Sequence, residues 1–539
     1  MPEEISFARK ASGLTRGLST YDAMGIGIMV VQPIAGIWMM LYIGLGLYPG
    51  GNMLLAVIIS ILACGIPSAI VWGMLGGSMP RSGGEYIFNS RIINPAIATA
   101  ASMAQFIAVI YWQFFITTWI ASPSLSMLAQ FMGWNGFANW LATKTGIFSL
   151  CVVCILGSYL TIVFGMRVYK MVQKPLVVLA ILGPLVIAVV LLVTSKAGFI
   201  SNWNALAIQY HSLTYQQYAA AAGAARGAAF PHTWTWAATM GCLDGAFMLF
   251  VYNYFIVYVG GEVKRPDKAL LSANGLAIGI PGLLGLLTVA GLNHAMSFSF
   301  LGATQWVTLT GSAVKGYNFP YQPSYMTLGW IAAHGNGAIA ALVAVTACIA
   351  FLVVSYLEVT LAVLGGPRIM FAWGMDRMGP KWFTDISARW AGPVKSYTVY
   401  TIILLAGTAA YVLWFTTLLT GLAAAGMQLV SVFAVTGISA IIFPYRKKVR
   451  TIWESSPYRK FQILGVPLIT IAGVIYLGYI LVLLYFAFID PNTRDVTGKN
   501  MISFVVAWGV GFAWFVWWRL QNRKVGVDVG LTYGQLPPD

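Results

Sequence analysis

Charge is what this 539-residue chain has least of: 9% of its residues are Asp, Glu, Lys or Arg, against about a quarter in an average soluble protein. Acids are the scarcer sign, 15 against 31 Lys and Arg, and there are only four histidines and five cysteines. Each shortage removes a class of function. Cys64, Cys151, Cys154, Cys242 and Cys348 all fall in apolar runs. Cys151 and Cys154 have no second pair or histidine near them in sequence, so they read as small apolar residues and no metal site is expected. His211 and His232 lie in a polar stretch, and His294 and His334 flank apolar runs. That leaves no buried histidine set for a haem-copper centre. P-loop, HExxH and Ser/His/Asp patterns are missing, and no polar segment is long enough for a catalytic domain. An enzyme, a cofactor protein and an ATP-driven pump are therefore not expected.

What is present is apolar: 59% of the residues are hydrophobic. A helical span needs about 20 mostly apolar residues. Runs at 23–47, 53–75, 96–130, 147–166, 175–194, 238–259, 270–292, 336–364, 397–416, 421–443, 464–488 and 501–518 predict about twelve spans. An even number puts both termini on one side. With that side cytoplasmic, 25 of the 31 Lys and Arg lie inside, and only Lys144, Lys196, Arg226, Lys315, Arg494 and Lys499 lie outside. The net charge of +16 then follows the positive-inside rule and needs no nucleic acid. The first 22 residues are polar and carry no short apolar core with a cleavage site, so no cleavable signal is expected. Tryptophans such as Trp38, Trp134, Trp203, Trp330 and Trp517 fall near span ends, where an aromatic belt would put them.

The expected fold is an all-α polytopic membrane protein built as a five-plus-five inverted repeat with two C-terminal helices. Its segments are a cytoplasmic N-terminus (1–22), a first repeat (23–194), an outer loop (195–237), a second repeat (238–443), a cytoplasmic loop (444–463), helices eleven and twelve (464–519) and a cytoplasmic tail (520–539). An odd set of five helices, duplicated, inserts its second copy upside-down, and such transporters carry interrupted helices at matching positions. The first helix of each half is interrupted. Span one has Gln32, Pro33 and Gly36 near its middle, and span six has Tyr252-Asn253-Tyr254 with Gly260-Gly261 at its inner end. A break frees backbone N–H and C=O groups at membrane depth, which a ligand, an ion or water must satisfy. The ends of half-helices suit a carboxylate and a cation, and so a zwitterion. The long loops at 195–237 and 293–335 could cap an outer vestibule or dock a partner.

Three stretches carry a resemblance. MPRSGGEYIFNSRIINPAIA (79–98) contains Pro80, Ser82, Gly83, Gly84, Tyr86, Arg91 and Pro95; GGEVKRPDKAL (260–270) contains Glu262, Val263, Lys264 and Pro266; residues 365–399 contain Arg368, Asp376, Pro380, Pro393 and Val394. Together they resemble the amino acid-polyamine-organocation family of permeases. The resemblance implies a leucine-transporter-like inverted repeat that moves an amino acid or related amine bound where spans one and six unwind. By position it implies substrate contacts from Ile34, Ala35, Gly36 and Ile37, from Val109 and Gln113 in span three, and from Val251, Tyr252 and Asn253; Trp112 is added as an aromatic wall. This chain keeps one of the family's two span-one glycines, has Tyr and Asn at the span-six break, and lacks within 176–194 the lysine that some members carry in span five.

Two carboxyls fall inside spans, Asp244 and Glu358. Acids there are costly and functional by default. Glu358, with Ser355 beside it, is the expected carrier of a coupling proton; a sodium site involving Ser355 is the alternative. The expected function is secondary active transport of an amino acid or amine across the cytoplasmic membrane, coupled to a proton or operating by exchange. The rivals are a permease for a nucleobase or carboxylate, and a non-transporting scaffold or sensor of the same fold.

Overall fold

A computed structural model describes residues 16–414, 419–492, 498–534 and 536. Residues 1–15 of the predicted N-terminal segment and Arg494 lie outside the described residues. Among the described residues twelve helices are long and apolar enough to cross a membrane. Spans one to six are Thr20–Leu47, Met53–Ser78, Pro95–Phe131, Lys144–Val163, Met166–Val193 and Trp236–Glu262. Spans seven to twelve are Pro266–Ala295, Gly337–Met375, Val394–Leu413, Gly426–Tyr445, Leu468–Ile489 and Met501–Lys524. The protein is an all-α polytopic membrane protein, with one two-residue hairpin, Gln462–Ile463 on Val466–Pro467, in the loop before span eleven.

Two boundaries differ from expectation. Pro175 marks the start of span five in the sequence reading, but the helix begins at Met166 and carries Pro175 inside it. Gly165, at φ 92°, makes the turn that starts the helix, and the charged first turns extend it beyond the apolar run. Span eight runs to Met375 rather than 364. At about 1.5 Å per residue, 39 helical residues are nearly twice the roughly 30 Å hydrocarbon thickness. Arg368 therefore sits on a helix, not in a loop.

Span one is two helices. Ser19 caps the first through a reciprocal pair with Asp22: the Asp22 N–H donates to Ser19 Oγ (3.2 Å), and the Ser19 N–H to the Asp22 carboxylate (2.9 Å). That helix ends at Val31, Gln32 takes a left-handed φ of 57°, and the second helix starts at Pro33. Proline has no N–H to continue the ladder and suits the first helical position. Span six is α-helical from Trp236 to Phe247, irregular at Met248–Val251, and a tight 3-10 helix from Tyr252 to Glu262. Both expected interruptions are present.

The halves of the two broken spans on the side of the 195–237 loop, here called outer, cross glycine on glycine. A Cβ on Gly245 would lie 2.4 Å from the Gly44 nitrogen and 2.6 Å from the Met40 carbonyl oxygen. Gly245→Val is therefore expected to lower the thermal unfolding midpoint in detergent, through overpacking strain of about 1–3 kcal/mol. An unchanged midpoint would show that the crossing is not tight.

The inner half of span one packs against span seven, which also packs against span five; span five packs against span eight. Span eleven lies on span ten and span two, and span twelve on span three. The two long outer loops fold into helices that cap the bundle: Lys196–Gln209, Tyr215–Arg226, Phe298–Thr310 and Tyr325–Ala333. Aromatic rings hold the cap together. Tyr215 stacks on Phe300 at 4.1 Å between centroids, and Trp203 meets Phe300 edge-on at 4.9 Å. Trp203, expected in an interfacial belt, is instead buried in this cluster.

Candidate functional site

The two breaks face each other. A Cβ on Gly36 would approach the Val31 carbonyl oxygen to 2.8 Å and Leu249 Cδ1 of span six to 3.1 Å, so only glycine lets them meet without displacement. Gln32 keeps its backbone engaged, donating to the Ile28 oxygen (2.9 Å) and accepting from the Gly36 N–H (2.5 Å). The Tyr325 hydroxyl of the outer cap reaches into the break and donates to the Ile34 oxygen at 2.9 Å. Nothing in the sequence of the 293–335 loop singles this tyrosine out.

Ile34, Ala35, Gly36 and Ile37 form the first turn of the outer half-helix and are buried. Across from them, span three brings Gln113 to span eight, where its Nε2 donates to Glu358 Oε1 at 3.2 Å. The Gln32 amide lies against the same carboxyl. Four residues at this depth keep a trace of accessible surface: Glu358 6%, Val109 8%, Trp112 8% and Tyr252 8%. Val251 beside Tyr252 is buried.

Other sequence-selected residues point elsewhere. Asn253 donates through Nδ2 to Asn274 Oδ1 of span seven (3.1 Å) and accepts from Ser68 Oγ of span two (3.4 Å). The Ser355 hydroxyl donates to the Phe351 oxygen of its own helix at 2.8 Å. Asp244 faces Tyr479 of span eleven rather than Glu358. The two intramembrane carboxyls are thus separate sites, and Glu358 alone stands at the breaks.

Aromatic rings pack on the outer side of the breaks. Trp38, counted from the sequence among belt tryptophans, packs inside the bundle against Trp119 and Phe351, each at 5.7 Å. Beyond Trp38 lies a cavity of about 240 Å³ lined by Ser122, Gln130, Tyr321 and Thr327 among others.

The inner side is closed by buried ion pairs absent from the sequence-selected site. Arg368 Nε donates to Glu262 Oε1 at 2.7 Å and Nη2 to Oε2 at 3.0 Å, tying span eight to the inner end of span six. Arg91 grips Asp376 with both Nη atoms at 2.5 and 2.7 Å. Tyr533 of the tail lies over the Arg91 guanidinium (5.1 Å) and shares a 3.0 Å hydrogen bond with Tyr86. On the short helix Glu85–Ile92, Glu85 accepts from the Tyr258 hydroxyl at 2.5 Å. Burial pushes the Glu85 carboxyl up to about 7, against the opposing pull of that hydrogen bond. The N-terminal segment completes the closure as one main-chain rung, Leu18 N–H to Glu262 O (3.0 Å) and Lys264 N–H to Leu18 O (2.7 Å). The signal that could have located this layer was present. Arg91, Glu262, Arg368 and Asp376 belong to the motifs quoted for the resemblance, but the sequence reading counts the two arginines only as cytoplasmic charges and gives the two acids no role.

Two interrupted helices with glycine at their contact and a buried acid beside the breaks suit a solute carrier rather than a catalyst. A comparison with curated proteins finds no match. The family model described as amino acid permease matches residues 13–512, a stretch that holds both breaks, the Glu358 cluster and both ion pairs, and this chain belongs to that transporter family.

Proposed function

We propose that the protein is a secondary active transporter that moves an amino acid or related amine across the cytoplasmic membrane by alternating access, with both termini inside. The substrate is taken up in the space between the span-one and span-six breaks, in contact with the Ile34–Ile37 turn, Val109, Trp112, Gln113, Val251 and Tyr252. Spans one to five and six to ten act as the two halves of an inverted repeat, and spans eleven and twelve flank them.

The observation that carries this reading is the placement of Glu358. A buried carboxyl with amide neighbours and no basic partner is held ionised only at a high solvation cost, so it takes up a neutralising proton or cation. Positioned at the breaks, it links that event to the conformation of the spans, which makes proton coupling the favoured form. Donation of the Ser355 proton within its own helix leaves the hydroxyl oxygen's lone pairs free, so sodium through Ser355 stays the alternative coupling ion.

Counterflow of labelled amino acids and amines into proteoliposomes of the purified full chain tests the reading. Saturable counterflow of at least one such solute is expected, with accumulation when a pH gradient is imposed. Exchange of nucleobases or carboxylates alone would make it a permease of another class, and no flux of any of these solutes would favour a non-transporting scaffold.

A further inference from the structure

The loop between spans ten and eleven carries a hairpin, Gln462–Ile463 on Val466–Pro467, that the transport reading does not use. Its base is fixed. Ser456 Oγ shares a 2.8 Å hydrogen bond with Ser78 Oγ at the end of span two, and the Tyr458 hydroxyl donates to the Asp267 oxygen of span seven at 2.5 Å. The Leu468 N–H of span eleven donates to the Phe461 oxygen at 2.9 Å. The tip is a two-residue turn. Leu464 and Gly465 both have positive φ, 49° and 78°, as a type I′ turn requires. Asn, Asp or Gly suits that turn, whereas a leucine in the left-handed region is strained. Leu464 is also 100% exposed, and Phe461, Ile463 and Val466 around it are exposed as well. A polar turn residue is thus replaced by an apolar one that no described residue covers.

Position and charge say what covers it. Span eleven has 22 residues, about 33 Å of helix, which matches a hydrocarbon layer of roughly 30 Å. Leu468 therefore stands at the edge of that layer, and Leu464, four residues earlier, is at most about 13 Å away. The tip is within reach of the lipid headgroups. The hairpin also leads directly into the surface where Val474, Ile475 and Leu481 of span eleven are exposed on the outside of the bundle. Residues 446–460 hold six Lys and Arg but one acid, Glu454, and that acid is bonded to Arg450 at 2.8 Å. Arg459 and Lys460 run straight into the hairpin. Farther back, burial and then the like charges of Arg91 and Arg446 push the Lys448 ammonium below its ordinary value, so positive charge is in excess along this loop.

We propose that the hairpin docks on the anionic lipid of the adjoining leaflet. Leu464 enters the boundary between headgroups and acyl chains, and Arg459 and Lys460 hold the lipid phosphates. Apolar insertion and basic charge act together in binding to an anionic membrane surface. The hairpin lies apart from the span-one and span-six breaks, so this holds whichever solute is carried.

The test uses the full chain in vesicles of phosphatidylcholine, alone or with an equal part of phosphatidylglycerol. Leu464→Cys is labelled with an environment-sensitive nitrobenzoxadiazole dye. The five native cysteines are buried, and wild type treated in the same way gives the background. With phosphatidylglycerol, the emission is expected to move to shorter wavelength and to be quenched by a lipid bearing a nitroxide high on its acyl chain. Adding Arg459→Gln and Lys460→Gln should return both readings toward those in phosphatidylcholine alone. An arm without label uses thermal unfolding in detergent. Phosphatidylglycerol should raise the midpoint by mass action, and Leu464→Asn, which suits the turn, should shrink that rise. Emission typical of water in both vesicles, equal insertion in phosphatidylcholine alone, or an undiminished rise in Leu464→Asn would each overturn the proposal. A wavelength shift without nitroxide quenching, or one that grows with the protein-to-lipid ratio, would mark a protein contact, a second copy included, and would overturn it too.

Discussion

Glu358→Gln is expected to reduce proton-driven accumulation to the level of protein-free liposomes while raising, not lowering, the stability of the fold. The substitution keeps the shape of the side chain and its contact with Gln113, and removes only the ability to ionise. An acid in a membrane span costs a few kcal/mol relative to a neutral residue, and among the described residues Glu358 has no basic partner to offset that cost. A gain of about 1 kcal/mol or more in unfolding free energy is the expected direction. Uptake driven by an imposed pH gradient and thermal unfolding in detergent, run on the same preparation, read the two effects. Loss of transport with gained stability marks a residue retained for function at the expense of the fold. Wild-type accumulation in the variant would remove Glu358 from the coupling mechanism.

The second large effect is expected at the inner ion pairs. Arg368→Met leaves the Glu262 carboxylate buried without its partner, and Glu262→Gln does the same to the guanidinium. Either single change should cost about 3–5 kcal/mol. Arg368→Met combined with Glu262→Met removes both charges and should recover most of that loss, since a buried pair replaced by apolar groups is often neutral. Thermal unfolding of the two singles and the double forms the cycle. If the double is as unstable as the singles, the residues act through packing, not charge. The double should also weaken the hold of span six on span eight, so faster substrate exchange from the inner side is expected alongside its recovered stability.

The spans were legible because twenty consecutive apolar residues have few other uses, and the breaks were legible because Pro33 cannot continue a helix. The span-six break was located from Tyr252-Asn253, and its irregular turn at Met248–Val251 lies just outward of them. The site was legible only in part. Glu358 stood out by its rarity, but its partner Gln32 counted only as part of a break, and Tyr325 lies in a loop whose fold depends on ring packing between distant segments. The direction in which Asn253 and Asp244 point depends on which neighbours each helix face meets, and a hydropathy pattern does not contain that. The same limit applied to Arg91 and Arg368: counting charges gives a side of the membrane, and burial depends on whether a carboxylate arrives from another span.

The rung between Leu18 and the exit of span six is made only of main-chain atoms. No side chain forms it, but the Leu18 side chain is itself fully buried in the core, so packing rather than the rung holds that position to an apolar residue of similar size. Glu262 joins the two kinds of contact, giving its carbonyl to this main-chain rung and its carboxylate to the pair with Arg368. Among related chains, position 18 should therefore range over apolar residues of similar bulk, while position 262 should keep its carboxylate, although both hold the same closure.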